Sequence, residues 1–158
     1  MDKLCVVKIR STIRCGPQVR RGMETLKLNK LYSCSIIDKT EQNMGVLKVI
    51  DSWVTYGEIN KDMMKKLLKR RSRVSNRKAL EWKDDDLQTF VDQLYEGKST
   101  IKSAKIKETF HLHPPLKGFE KRGKKTPFGI KGAFGYRGED INKLLVSNQA
   151  WSLALIFL

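Results

Sequence analysis

The sequence predicts an α+β fold, a small sheet backed by helices, and three observations carry that prediction. Short β-branched runs alternate with helical apolar stripes through the first sixty residues. Apolar residues make up 40% of 158, enough for one moderate core and a small appendage. Lys and Arg total 32 against 17 acids, a formal charge of +15, and most of the excess lies beyond Ile59. Such a balance is unlike a free-standing cytosolic enzyme and points to a polyanionic partner.

Lys3 to Ile9 (KLCVVKI) is β-branched and too short for a convincing helix, so it reads as a first strand. Gly16-Pro17 breaks the chain, and Val19, Met23 and Leu26 then form one stripe of a helix with Pro17 near its first position. Tyr32 to Asp38 alternates Tyr32, Cys34 and Ile36 against Ser33 and Ser35, the period of a strand with one buried face. Met44, Leu47 and Ile50 give Glu41 to Ser52 a second helical stripe, and Trp53 to Ile59 (WVTYGEI) returns to strand composition. This β-α-β-α-β order implies a three-stranded antiparallel-type sheet with two helices on one face, a relative of ferredoxin-like folds, occupying residues 1–59.

Residues 60–147 read as a helical and basic-loop extension packing on that core. Its charge is uneven: net +8 over 60–83, −5 over 84–97 and +7 over 98–125. Met63, Met64, Leu67 and Leu68 stripe a cationic amphipathic helix. Asp84, Asp85 and Asp86 supply a capped, dipole-matched start to a helix whose apolar face is Leu87, Phe90, Val91, Leu94 and Tyr95, with Gly97 as its stop. Lys107 to His113 reads as a strand stopped by Pro114-Pro115, and 117–131 as a Gly- and Lys-rich loop. A last helix from about Gly138 buries Ile141, Leu144 and Leu145.

The run KKLLKRRSR (Lys65 to Arg73), extended by Arg77 and Lys78, is dense enough in cations to neutralise successive phosphates. The bland alternative is a solvated helix face. KGFEKRGKK (Lys117 to Lys125) sets glycines and an aromatic among cations, as a loop moulding itself to RNA would, or as a plain surface loop. Gly132, Gly135 and Gly138 precede a helix start at which backbone N–H groups would hold a phosphate, with Arg137 as clamp and Tyr136 as stacking surface. A structural turn fits that pattern equally well, and it is neither a phosphate-loop nor a dinucleotide fingerprint.

Catalysis finds little support. His111 and His113 share a strand face without the further ligands of a metal site, so packing or an RNA-facing polar edge is the reading, and no cofactor motif is present. Cys5, Cys15 and Cys34 cannot all pair and sit in apolar company, which fits packing in a reducing, cytosolic setting. The apolar tail, 148–158, is read as packing on the chain or docking on a neighbouring protein. Its stretch from Ala150 is short of the roughly 20 residues that span a bilayer, so no membrane partner is expected.

WVTYGEI (Trp53 to Ile59), FHLHPPLKGFEK (Phe110 to Lys121) and KGAFGYRGEDINKLL (Lys131 to Leu145), together with the core order, resemble the large-subunit ribosomal protein family called L thirty in bacteria and L seven in eukaryotes, in its longer, archaeal type. The resemblance covers about residues 3–145; the tail departs from it. It implies a non-enzymatic constituent of the large ribosomal subunit in the cytoplasm, binding ribosomal RNA, with neighbouring ribosomal proteins as further partners and no small-molecule substrate. Family contacts are spread over a basic surface, so the RNA-binding residues are assigned here by charge. They are Arg10, Arg14, Arg20 and Arg21 on the core; Lys65, Lys66, Lys69, Arg70, Arg71, Arg73 and Arg77; Lys117, Lys121, Arg122, Lys124 and Lys125; and Tyr136 with Arg137. A free-standing nucleic-acid regulator is the competing reading, and a small enzyme acting on phosphorylated substrates a third.

Overall fold

A computed structural model of the chain describes residues 3–74, 82–101, 103–115 and 118–149. Strand β1 (Lys3–Lys8) is buried along its whole length, which is why its sequence is a run and not an alternation. It lies between β2 (Ser33–Asp38) and β3 (Val54–Glu58), antiparallel to both, with Val7 opposite Cys34 and Thr55. The expected three-stranded antiparallel unit is therefore present. Two short strands widen it: β4 (Thr109–His111) runs antiparallel to β2, and β5 (Gly135–Tyr136) runs parallel to β3. The result is a mixed five-stranded sheet in the order β4-β2-β1-β3-β5.

Both faces of this sheet are covered. Leu4 and Val6 point into a cluster with Val19 and Met23 of α1 (Pro17–Thr25) and Leu47 and Ile50 of α2 (Glu41–Ile50). Cys5, Val7 and Ile9 point the other way. They meet Met64, Leu67 and Leu68 of α3 (Lys61–Arg71), Leu87 and Val91 of α4 (Asp84–Glu96), and Ile141 and Leu145 of α5 (Asp140–Gln149). Burying each of those leucines stabilises the fold by roughly 2 kcal/mol, so the second helical layer is integral to the core. Strand β2 corrects the one-face expectation: Ser33 and Ser35 are buried too, and the Ser33 hydroxyl donates to the Lys30 carbonyl at 2.6 Å.

Local chemistry sets the helix ends. Pro17 occupies the first turn of α1, where a missing N–H costs nothing. Thr40 caps α2 by accepting from Asn43 N at 3.3 Å. The start of α4 differs from expectation, because Lys83 holds the cap position without a side-chain cap. Asp84, Asp85 and Asp86 fill the first turn, where the helix dipole favours them, and Gly97 (φ 76°) ends the helix.

Candidate nucleic-acid interface

Antiparallel packing of α3 on α4 divides the cationic helix into two stripes. Lys61, Lys65 and Lys69 step one turn at a time along α3. Their ammonium groups meet Asp92 (3.1 Å), Gln88 (2.8 Å) and Asp84 (2.6 Å), which step one turn at a time the opposite way along α4. The acidic segment is thus the counter-charge of one side of α3. Lys66 and Arg70 stand on the other side, exposed, and neither pairs with an acid among the described residues. Arg71 is half-buried; burial, then the charges of Arg73 and Arg70, push its pKa down. Three guanidiniums crowded at one helix end repel each other and favour an anion.

On the core, Arg20 and Arg21 are exposed on α1, and Arg14 is exposed in a left-handed turn (φ 62°). Arg10 is half-buried, donating to the Ser52 carbonyl at 3.1 Å and lying 5.5 Å from the Trp53 ring centroid. The basic loop has defined internal bonding. Arg122 N donates to the Lys131 carbonyl and Gly132 N to the Pro127 carbonyl. Lys124 anchors the loop to the start of β2, its ammonium 4.8 Å from the Tyr32 ring and 5.1 Å from that of Phe119. Lys121, Arg122 and Lys125 project from that base into solvent. Arg77 and Lys117 lie outside the described residues.

Arg137 sits apart from the other assigned cations. Its guanidinium is buried, with Nε donating to Thr55 Oγ1 (2.8 Å), one terminal nitrogen to each Glu120 oxygen (2.5 and 3.2 Å), and a further bond to the Ala133 carbonyl (2.9 Å). It also lies 4.4 Å from the Phe128 ring centroid. Four of its five N–H donors go to joining β3, the basic loop and the Ala133 carbonyl, so the geometry fits an internal strut better than a phosphate clamp. The helix start beside it is likewise committed, because Asp140, Ile141 and Asn142 N–H groups donate to the carbonyls of Arg137, Gly138 and Glu139. The glycine spacing serves packing: a Cβ on Gly132 would sit 2.0 Å from the Thr126 carbonyl oxygen, and one on Gly57 would sit 2.0 Å from that of Gly138. Tyr136 is half exposed, its hydroxyl donating to the Glu58 carboxylate at 2.7–2.8 Å and its ring 5.6 Å from that of Tyr56.

Comparison with known proteins gives this surface a context. The family model "Ribosomal protein L30p/L7e" matches residues 4–54. A large ribosomal subunit protein uL30 from Methanococcus maripaludis is 36% identical over 146 residues, covering 89% of this chain and 95% of that protein. The chain belongs to the L30p/L7e family. The uL30 of Nanoarchaeum equitans is 35% identical over 152 residues (92% of this chain, 98% of that protein), and that of Archaeoglobus fulgidus 32% over 148 (89% and 95%). The family model spans β1 to α2, whereas the likeness to these archaeal uL30 proteins runs well past the core into the elements that carry the basic surface.

Two cationic positions of this L30p/L7e chain, Lys30 and Lys107, escaped the charge-run reading, and His111 was read only as packing or an RNA-facing polar edge. Neither lysine belongs to a dense cationic run, and the fold gathers all three at the β4 edge. Lys107 N donates to the Arg73 carbonyl, which brings the end of α3 alongside β4. Burial, then the charges of Lys30, Arg73 and Lys107, hold the His111 imidazole below its ordinary pKa. The available signal was the strand assignment of 107–113 beside a basic helix end, which places those charges together only once the pairing with β2 is known. Among the described residues, no group of three or more His, Cys, Asp or Glu side chains is arranged to hold a metal ion.

Proposed function

We propose that this chain is a structural, non-enzymatic constituent of the large ribosomal subunit that binds and stabilises folded ribosomal RNA during translation. Family membership supports the subunit, and the observation that supports RNA as the direct partner is the one-sided α3. One of its cationic stripes is neutralised by α4, and the other, Lys66 and Arg70 running to Arg73, is left facing outward. Phosphates neutralised by that stripe, by Arg14, Arg20 and Arg21, and by Lys121, Arg122 and Lys125 would release condensed counterions. Contacts of this type read backbone and shape more than base sequence.

In this reading the core, 1–59, fixes where the basic elements reach. The 60–147 extension presents most of them, and the 148–158 tail meets a protein neighbour or packs on the chain. Among the described residues no helix is long and apolar enough to cross a membrane, and the setting proposed is the cytoplasmic ribosome. Sedimentation of cell extract at modest salt tests the assignment, with the chain expected in the large-subunit peak. A free-standing regulator would stay near the top of the gradient. With isolated large-subunit RNA, Lys66→Glu/Arg70→Glu should flatten the slope of log affinity against log salt by about 1.5 to 2. Lys65→Gln/Lys69→Gln should change it less, since those ammonium groups already have partners; equal losses from the two pairs would remove the two-stripe argument.

A further inference from the structure

We propose that the groove between the Lys27–Lys30 segment and β4 is a phosphate site for the RNA backbone, with Lys30 and Lys107 supplying charge and His111 donating from its imidazole. The proposal rests on the ribosomal RNA reading above and assigns to it residues that no run of charges reveals.

Four observations carry it. First, the groove encloses about 380 Å³ and is lined by Asn29, Lys107, Thr109 and His111 together with Lys27 and Glu108. The single acid in that lining, Glu108, forms an ion pair with Lys27, so its charge is already matched. Second, Lys30 and Lys107 flank the imidazole by construction. The Ser33 N–H and hydroxyl both donate to the Lys30 carbonyl, and Ser33 is the register partner of His111. On the other side, the bridge between Val74 and Ile106 and the bond from Lys107 N to the Arg73 carbonyl bring Arg73 to the same end.

Third, β4 is an edge strand, and its outward N–H groups at Thr109 and His111 meet no backbone acceptor among the described residues. Leu112 N donates to the Tyr32 carbonyl, so 112 and 32, and two residues along 110 and 34, are the hydrogen-bonded pairs of this antiparallel ladder. Thr109 and His111 therefore aim their N–H groups away from β2, to the side on which Lys107 N meets the Arg73 carbonyl. An oxyanion there would meet outward N–H donors as well as ammonium groups. Fourth, the groups facing His111 are Lys30 from the segment before β2, Arg73 from just after α3, and Lys107 from the segment leading into β4. Burial and their fields disfavour the imidazolium in the free protein. A phosphate offsets those fields, so its arrival raises the His111 pKa and binding tightens as pH falls.

The test uses the full chain and large-subunit RNA, with affinity followed from about 50 to about 300 mM salt at about pH 5.5 and pH 7.5. Lys30, Lys107 and His111 are all exposed, so their substitution should leave the fold intact, which circular dichroism checks. Lys30→Gln/Lys107→Gln should lower the salt slope by about 1.5, and His111→Gln should abolish a several-fold gain in affinity on acidification. The imidazole resonance of His111 should titrate at higher pH with RNA bound than without. Unchanged slope and pH response in the groove variants, with Lys66→Gln/Arg70→Gln still flattening the slope, would overturn the groove and leave the ribosomal RNA reading standing. Absence of binding by the unsubstituted chain would overturn both.

Discussion

Replacing Arg137 separates two roles that a basic residue in a basic protein is easily assigned. In Arg137→Ala the Ala133 carbonyl loses its 2.9 Å donor, and an orphaned buried acceptor costs about 1–3 kcal/mol. Glu120 loses a bidentate partner, but its side chain is 32% exposed and water rehydrates it, so that loss falls below the full penalty for a broken buried pair. Thr55 retains its own bond to the Gly135 carbonyl. Adding the lost packing on Phe128 brings the expected cost to about 3 kcal/mol, near the lower end of the range for buried pairs. With a urea m-value of about 2 kcal/mol/M, the midpoint should fall by about 1.5 M. Arg137→Lys keeps the charge but not the fork, and should recover less than half of that loss. Urea denaturation paired with RNA titration decides the matter. A salt slope reduced by nearly one with an unmoved midpoint would refute the strut and restore the clamp.

Gly57→Ala should destabilise by about 2 kcal/mol or more, read as a lower thermal midpoint, because the new Cβ lands 2.0 Å from the Gly138 carbonyl oxygen and backbone must move. For Glu58, burial pushes the carboxyl up, but hydrogen bonds from Tyr136 and Lys39 outweigh it and hold the pKa below the usual range. A lowered folded-state pKa gives stability that is present above the unfolded value and lost as pH falls through the folded one. Tyr136→Phe should therefore raise the Glu58 pKa in an NMR titration and move acid unfolding to higher pH; an unmoved titration would disprove the coupling. Cys5 and Cys34 are fully buried, with Sγ atoms 3.1 Å apart and the Cys5 thiol pKa raised by the hydrogen bond to Cys34 and by burial, whereas Cys15 is half-buried. Alkylation of the native chain should modify Cys15 alone, and mass spectrometry showing early labelling of Cys5 would contradict that packing.

Much of the first sixty residues was legible because their signals are local. Pro17 at a helix start, the Val19–Met23 stripe and the β-branched run of β1 each act within a few residues. What escaped depends on distant partners. Ser33 and Ser35 look like a solvent face, but both are small enough to bury, and the Ser33 hydroxyl donates to the nearby Lys30 carbonyl, so polarity did not mark exposure here. Strand β5, of two residues, is too short to carry a period, whereas β4 falls inside the 107–113 stretch read as a strand and only its pairing with β2 was hidden. The density of cations in α3 was plain. Which of them are committed follows from its register against α4, as the partners of Arg137 follow from bringing Thr55 and Glu120 to one place.

A sheet closed on both sides by helices from one chain has a consequence for synthesis. The strands β1 to β3 and the helices α1 and α2 are synthesised ahead of α3, α4 and α5, and Leu145, which seals the rear of the sheet, comes 87 residues after Glu58. At elongation rates of about 5–20 residues per second, Cys5, Val7 and Ile9 wait on the order of 5–15 s for their lid. The nascent protein is greasiest midway through its own manufacture, and that interval is when it most needs protection from its neighbours.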